Sequence, residues 1–237
     1  STIGVQGLNT WHRHVRGPNQ RLLLATDVSL GVDLPFTMMF YQNGTDNYDD
    51  SQRRFLDVIL TVKLVKEEYL LLVDDDAFVI THNVAQFMDT LPSDSKSLIF
   101  GQAACNGRLC GGGGALFSPA AIRSLRLLED EIMEEYKNPE TGTQWDVVLS
   151  AILDRVDEPE LVSREGNFNS QPPNFLKGNQ KYGNAESLQR LETLPLTFHY
   201  VDEFHQAQYN TTYNYNCGKC ETLIPQLYSK YYTAGER

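Results

Sequence analysis

The chain contains no apolar run approaching the ~20 residues that a membrane-spanning helix needs, and no charged-then-apolar leader pattern at its N-terminus. The sequence therefore reads as soluble. Because it starts at Ser1 without Met, the expectation is a type II membrane protein whose anchor lies outside these residues, with membrane contact confined to that segment. Positive charge is also scarce: 20 basic residues face 31 acidic ones, for a net charge of -11. A nucleic-acid partner is excluded on that ground, since phosphate backbones demand a Lys/Arg footprint. Internal repeats and low-complexity tracts are absent, which removes solenoid architectures.

Cysteine is sparse as well. Its four copies form two close pairs, Cys105 with Cys110 and Cys217 with Cys220, and Asn43 and Asn210 open Asn-x-Thr sequons. Disulfides in a secretory compartment are the expectation, while Cys217-Gly-Lys-Cys220 also suits half a zinc site or a redox pair.

What the sequence does have is enough apolar content, 41% of 237 residues, for one large α/β domain. Apolar stretches predict strands at 21–26, 36–41, 69–73, 97–100 and 196–200. Helical spacing predicts helices over 51–66 and 81–90. Ser118-Pro119 is an N-cap followed by proline at the first helical position, opening a helix to about Tyr136, and another is predicted over 145–156. The Asn-, Gln-, Pro- and Gly-rich segment 157–194 reads as loops. Strands alternating with helices imply a mostly parallel central sheet covered on both faces, with ligands bound beyond the carboxyl ends of its strands. Asp74 stands at such an end.

Three consecutive carboxylates, Asp74, Asp75 and Asp76, directly follow the apolar run Tyr69–Val73. Like charges so close repel and raise one another's pKa, so a divalent cation is the natural offset. Hard Mn²⁺ or Mg²⁺ takes carboxylate oxygens and completes its shell with water and substrate phosphates. Strand alternation predicts Asp74 and Asp76 on one face and Asp75 on the other. A solvated acidic turn is the competing reading. The run Gly111 to Gly114 is costly to order, which suggests close approach of a ligand to its backbone or, alternatively, a flexible turn closed by Cys105 and Cys110.

The segment Tyr69-Leu-Leu-Leu-Val-Asp-Asp-Asp-Ala-Phe-Val79 resembles the metal-binding segment of the Fringe-like β1,3-glycosyltransferases, the family that includes the core-1 galactosyltransferases. Thr10-Trp11 with Arg13, Leu24-Ala25-Thr26-Asp27 and Gly111-Gly-Gly-Gly-Ala-Leu-Phe-Ser118 resemble further family segments in the same order, spanning roughly Thr10 to Cys220. The resemblance implies a GT-A-type single domain over 1–237, with a nucleotide-binding part about 1–80 and an acceptor-binding part about 81–237. It also implies a UDP-sugar donor, Mn²⁺ (or Mg²⁺) and inversion at the anomeric carbon. Asp76 would be the direct metal ligand, with Asp74 also at the metal, towards the ribose or a metal-bound water, and Asp75 among the residues that bind the donor. His199, in the family's Phe-His position, would complete the metal site, and His205 is the reserve. Asp146 would be the catalytic base. Asp27 and Arg54 would serve the nucleotide and diphosphate, and Gly112 and Gly113 would border the bound sugars.

The sequence departs from the family around the base, with Trp145 before Asp146 and Ser150 where a glycine is usual. The leading expectation is a hexosyl- or N-acetylhexosaminyltransferase of the Golgi lumen acting on a glycan or glycoprotein. The alternatives are a catalytically inactive domain that binds a glycan or a partner glycosyltransferase, and a retaining transferase on the same fold.

Overall fold

The computed structural model describes residues 23–26, 37–40, 47–64, 68–74, 76–91, 96–164, 166–170 and 195–201. In chain order its elements are β1 (Leu23–Thr26), β2 (Thr37–Phe40), α1 (Tyr48–Thr61), β3 (Leu70–Leu72), β4 (Phe78–Val79), α2 (Thr81–Met88), β5 (Leu98–Gly101), a 3₁₀ turn (Gly111–Gly113), β6 (Ala115–Phe117), α3 (Pro119–Leu127), α4 (Glu129–Tyr136), α5 (Trp145–Leu153), β7 (Glu160–Ser163), β8 (Phe168–Asn169) and β9 (Thr197–Phe198).

Side-chain alternation in the central strands feeds two cores. Leu70 and Leu72 of β3, Ile99 of β5, and Ala115 and Phe117 of β6 point to one face. There they meet Leu56 and Ile59 of α1, Ile122 and Leu125 of α3, Ile132 of α4, and Trp145, Val148, Leu149 and Ile152 of α5. Residues of the opposite parity, Leu98 and Phe100 of β5 and Leu116 of β6, join Phe87 of α2, Phe168 of β8 and Leu196 on the other face. Burying each such large side chain stabilises by about 1.5–3 kcal/mol, and it is the period of two that lets one strand serve both cores. The α/β class and the double covering match the sequence reading.

The strand directions differ from a mostly parallel sheet. The order is β3-β6-β5-β7, and β6 runs antiparallel to both β3 and β5, while only β5 and β7 are parallel. The link from β5 to β6 holds no α-helix, only a hairpin and the 3₁₀ turn, so the chain returns without the helical crossover that parallel neighbours require. A second sheet, β4-β9-β8, and the parallel pair β1-β2 complete the described strands.

Helix ends follow their caps rather than apolar periodicity. The Asn47 side chain accepts the Asp50 amide at 2.7 Å, starting α1 earlier than expected, and Val62 leaves helical geometry at ψ 127°. Ser118 caps α3 as predicted, accepting the Ala121 amide. That helix stops at Leu128, where φ −105° and ψ 21° separate it from α4, so one predicted helix is two. Strands β7 and β8 fall in the segment read as loop. β7 is a sheet edge with Glu160 and Ser163 exposed, which leaves little apolar pattern to detect.

Candidate metal centre and active site

Asp74 and Asp76 follow β3, but a turn rather than strand alternation brings them together. The Ala77 amide donates to the Asp74 carbonyl at 3.1 Å, closing a four-residue turn. The chain then enters β4, which pairs antiparallel with β9 in the register Phe78↔Phe198 and Val79↔Thr197. The Val201 amide donates to the Asp76 carbonyl at 3.0 Å and extends the pairing past the strands. His199 is thereby carried to the aspartate turn from far along the chain.

Ligand-capable atoms of Asp74, Asp76 and His199 all lie within 4.8 Å of one another. His199 Nε2 is 3.1 Å from Asp76 Oδ1 and 3.8 Å from Asp74 Oδ2. Burial opposes the charged imidazole, but the hydrogen bond and charge of Asp76, with the charge of Asp74, outweigh it and raise the His199 pKa above 6.5. His199 also hydrogen-bonds the Ser170 backbone, and its amide donates to the Asn169 carbonyl at 3.0 Å. Asn169 is itself buried and donates to the Thr197 and Gly166 carbonyls. An imidazole fixed through the backbone, with Nε2 aimed at two carboxylates, has the supporting arrangement of a metal-binding histidine. Two carboxylate oxygens and one imidazole nitrogen suit a divalent cation. The carboxylate side chains remain 26% and 25% exposed, which leaves them open to a cation and its ligands.

The glycine run is the seam between this cluster and α5. A Cβ on Gly112 would stand 2.2 Å from His199 Nδ1, and one on Gly111 would meet the Trp145 ring at 2.7 Å and Asp146 Cβ at 2.8 Å. Gly113 lies against the Asn169 and Ser170 backbone, and Gly114, at φ +82°, against the Leu72 carbonyl. The protein's own atoms thus fill the space that side chains would take. The run follows a hairpin closed by the disulfide Cys105–Cys110, whose tip, Asn106 at φ 57° and Gly107 at φ 82°, has the left-handed pair of a tight hairpin turn.

Asp146 occupies the first turn of α5. Its Oδ2 accepts the Gly111 amide at 2.6 Å and its Oδ1 accepts the Val147 amide at 2.9 Å. Burial raises its pKa above 3.8, although both of those bonds and the charge of His199 pull the other way. Gly111 touches Asp146 and Gly112 touches His199, so adjacent residues of one turn link the acid to the cluster. Trp145, fully buried and stacked on Phe55 with centroids 5.3 Å apart, anchors the start of α5.

Two exposed tyrosines stand beside these groups without having been expected. The Tyr200 ring lies against His199 with centroids 3.7 Å apart and planes tilted by 32°, and its backbone is left-handed at φ 55°, a cost tolerated where surrounding structure imposes it. The Tyr48 hydroxyl accepts from Gln144 Nε2 at 3.4 Å. Burial raises the Tyr48 pKa, the Gln144 hydrogen bond opposes this, and the charges of Asp146 and Asp74 add to the rise. The only sequence signal for either was adjacency, Tyr200 to His199 and Gln144 to the start of α5. Arg54 sits half-buried on α1. Thr10, Trp11, Arg13, Asp27, Asn43, Asp75, His205, Asn210, Cys217 and Cys220 lie outside the described residues.

No protein-family model matches the chain, and no curated protein matches it in sequence. Among solved structures it is similar to the apo form of the glycosyltransferase GlyE from Streptococcus pneumoniae, with 14% identity over 97% of this chain and 59% of that one and a TM-score of 0.53. A second GlyE structure aligns over 70% of this chain and 44% of its own at 14% identity and a TM-score of 0.42. This chain therefore spans about three-fifths or less of those proteins. The fold is that of a glycosyltransferase structure.

Proposed function

We propose that this fold serves as the catalytic domain of a metal-dependent inverting glycosyltransferase, of the Fringe-like β1,3 kind, that moves a hexosyl or N-acetylhexosaminyl group from a UDP-sugar to a glycan or glycoprotein in the Golgi lumen. The observation that carries the reading is the convergence of Asp74, Asp76 and His199 within 4.8 Å, beside a half-buried acid with a raised pKa. When bound, Mn²⁺ or Mg²⁺ supplies neutralising charge to the donor diphosphate. Asp74, Asp76 and His199 would hold it, and Arg54 and Asp27 are proposed to serve the diphosphate and nucleotide.

Asp146 is the proposed base. Each of its oxygens accepts one backbone amide, and each retains a lone pair for an incoming hydroxyl. Its raised pKa makes it a better proton acceptor than an ordinary aspartate. The acceptor hydroxyl oxygen bonds to the anomeric carbon, the bond from that carbon to UDP breaks, Asp146 takes the hydroxyl proton, and UDP leaves with the electron pair. The test is to incubate the protein with Mn²⁺, a set of UDP-sugars and simple glycoside acceptors. Transfer with inverted anomeric configuration is expected. Absence of both donor turnover and a UDP–Mn²⁺ thermal shift would overturn the reading.

One observation favours a second reading. Both Asp146 oxygens are already engaged with backbone amides, as in a purely structural residue, which suits a non-catalytic domain that binds a glycan or a partner glycosyltransferase. That domain would bind UDP–Mn²⁺ or a glycan with no turnover of any donor.

A further inference from the structure

Ser150 is where this chain leaves the pattern it otherwise resembles, and it is nearly fully buried at 3% exposure. It lies one helical turn after Asp146 on the same face of α5. Its hydroxyl donates to the Asp146 carbonyl at 2.7 Å and accepts the Leu109 amide at 3.1 Å. Two residues further on, Gly111 donates to the Asp146 carboxylate at 2.6 Å. The segment 109–111 is therefore tied to α5 at two points, one through Ser150 and one through Asp146.

We propose that Ser150 is a positioning residue for the reaction: its hydroxyl pins the disulfide-closed loop to α5, and so sets where the Asp146 carboxylate and the glycine turn stand relative to His199. This rests on the reading of Asp146 as base. A glycine or alanine at 150 leaves the buried Leu109 amide without an acceptor, a loss that a protein interior does not make good. Segment 109–111 then keeps one hydrogen bond to α5, which consumes the catalytic carboxylate itself, and the loop's other tie is the exposed pair of Arg108 with Asp154, 3.2 Å apart at the far end of the helix. With Ser150 present, a buried bond beside the glycine turn holds segment 109–111, and the carboxylate can engage an acceptor hydroxyl without releasing the turn. The chain past the tie runs straight into Gly112 and the His199 ring, and the Cys110 amide donates to the Gln102 carbonyl at 2.8 Å. Along the chain, a shift of the loop therefore meets Asp146 at Gly111 before it meets His199 at Gly112. The effect belongs to turnover first and to metal binding little.

The experiment compares Ser150→Ala, Ser150→Gly and Ser150→Thr with Asp146→Asn. It follows kcat, donor KM, Mn²⁺-dependent UDP binding and the Gly111 amide resonance in ¹⁵N-labelled protein, the last of which needs no turnover. A short amide bond to a carboxylate places the Gly111 proton downfield. Ser150→Ala and Ser150→Gly are expected to move that resonance upfield and to lower kcat about 10- to 100-fold, the penalty of a small misplacement of a reacting group. Donor KM and UDP–Mn²⁺ affinity should stay within about twofold, and Ser150→Thr, which keeps the hydroxyl, should recover most of the rate. An unmoved Gly111 resonance, or a kcat loss accompanied by an equal loss of UDP–Mn²⁺ binding, overturns the positioning role. Turnover retained in Asp146→Asn overturns the base assignment instead, which keeps the two failures apart.

Discussion

The two acidic parts of the site are held in opposite ways. Asp74, Asp76 and His199 come from two segments distant in sequence, joined by the short pairing of β4 with β9, and their side-chain atoms face one another. Asp146 sits on a helix, and its carboxylate oxygens face backbone amides from its own turn and from the glycine run. The first group sets two carboxylates beside one imidazole, a donor set that suits a cation. The second is satisfied within the protein and keeps its reactivity through burial. The proposed metal cluster and the proposed base are thus built separately, and Gly111 and Gly112 form a seam between them.

The largest test of that separation removes one side. Asp76→Ala should reduce Mn²⁺-dependent UDP binding by about 100-fold or more, read by calorimetry with and without Mn²⁺. Unchanged binding would detach the cluster from the donor. Asp146→Asn should lower turnover by roughly 10²- to 10⁴-fold while UDP–Mn²⁺ binding persists, and parallel losses in both would erase the distinction. For the unmodified protein, the rate should fall with acid as Asp146 takes up a proton. Because burial raises that pKa, the acid limb of kcat/KM should lie above the ordinary aspartate value of 3.8, and a limb at or below it would contradict the assignment.

Gly112→Ala probes the seam. A methyl group 2.2 Å from His199 Nδ1 must displace the ring, so Mn²⁺ affinity should drop by about 10-fold or more, the scale found when support for a metal-binding histidine is lost. Equal affinity would mean the turn yields instead. The smallest effect is on the scaffold alone. Asn47→Ala removes the cap of α1 and should cost about 1 kcal/mol, seen as a lower Tm with the ratio of turnover to binding unchanged.

Much of this was legible in the sequence wherever a local pattern carries the information. Ser118-Pro119 announced a helix start, the apolar pentad before Asp74 announced a buried strand, and Cys105 and Cys110 were close enough to pair, as they do. The aspartates stood out as three like charges after a buried run and His199 was identified by resemblance, but the geometry that unites them is a turn and a strand pairing that no local period encodes. The antiparallel direction of β6 was hidden because its connection is a hairpin and a glycine turn rather than a helix. β7 was hidden because an edge strand exposes its ends. The glycines were read as a close approach of a ligand or a turn closed by Cys105 and Cys110, and what the sequence could not show is their packing against His199, Trp145 and the backbone of Asn169 and Leu72. Tertiary neighbours decide that distinction, and composition does not contain them.

The pairing of β4 with β9 also has a consequence in time. Its partners flank α2 to α5 in the chain, so forming it closes a very long loop, whose entropy must be met before the contact rewards it. A chain still emerging from the ribosome can assemble α1 through α5 around β3, β5 and β6, yet has no imidazole to set beside its aspartates until His199 has been made. On the proposed reading, capacity to bind a cation would therefore wait for the pairing of β4 with β9, and a metal-sensitive probe would report that long-range closure rather than the earlier assembly of the helices.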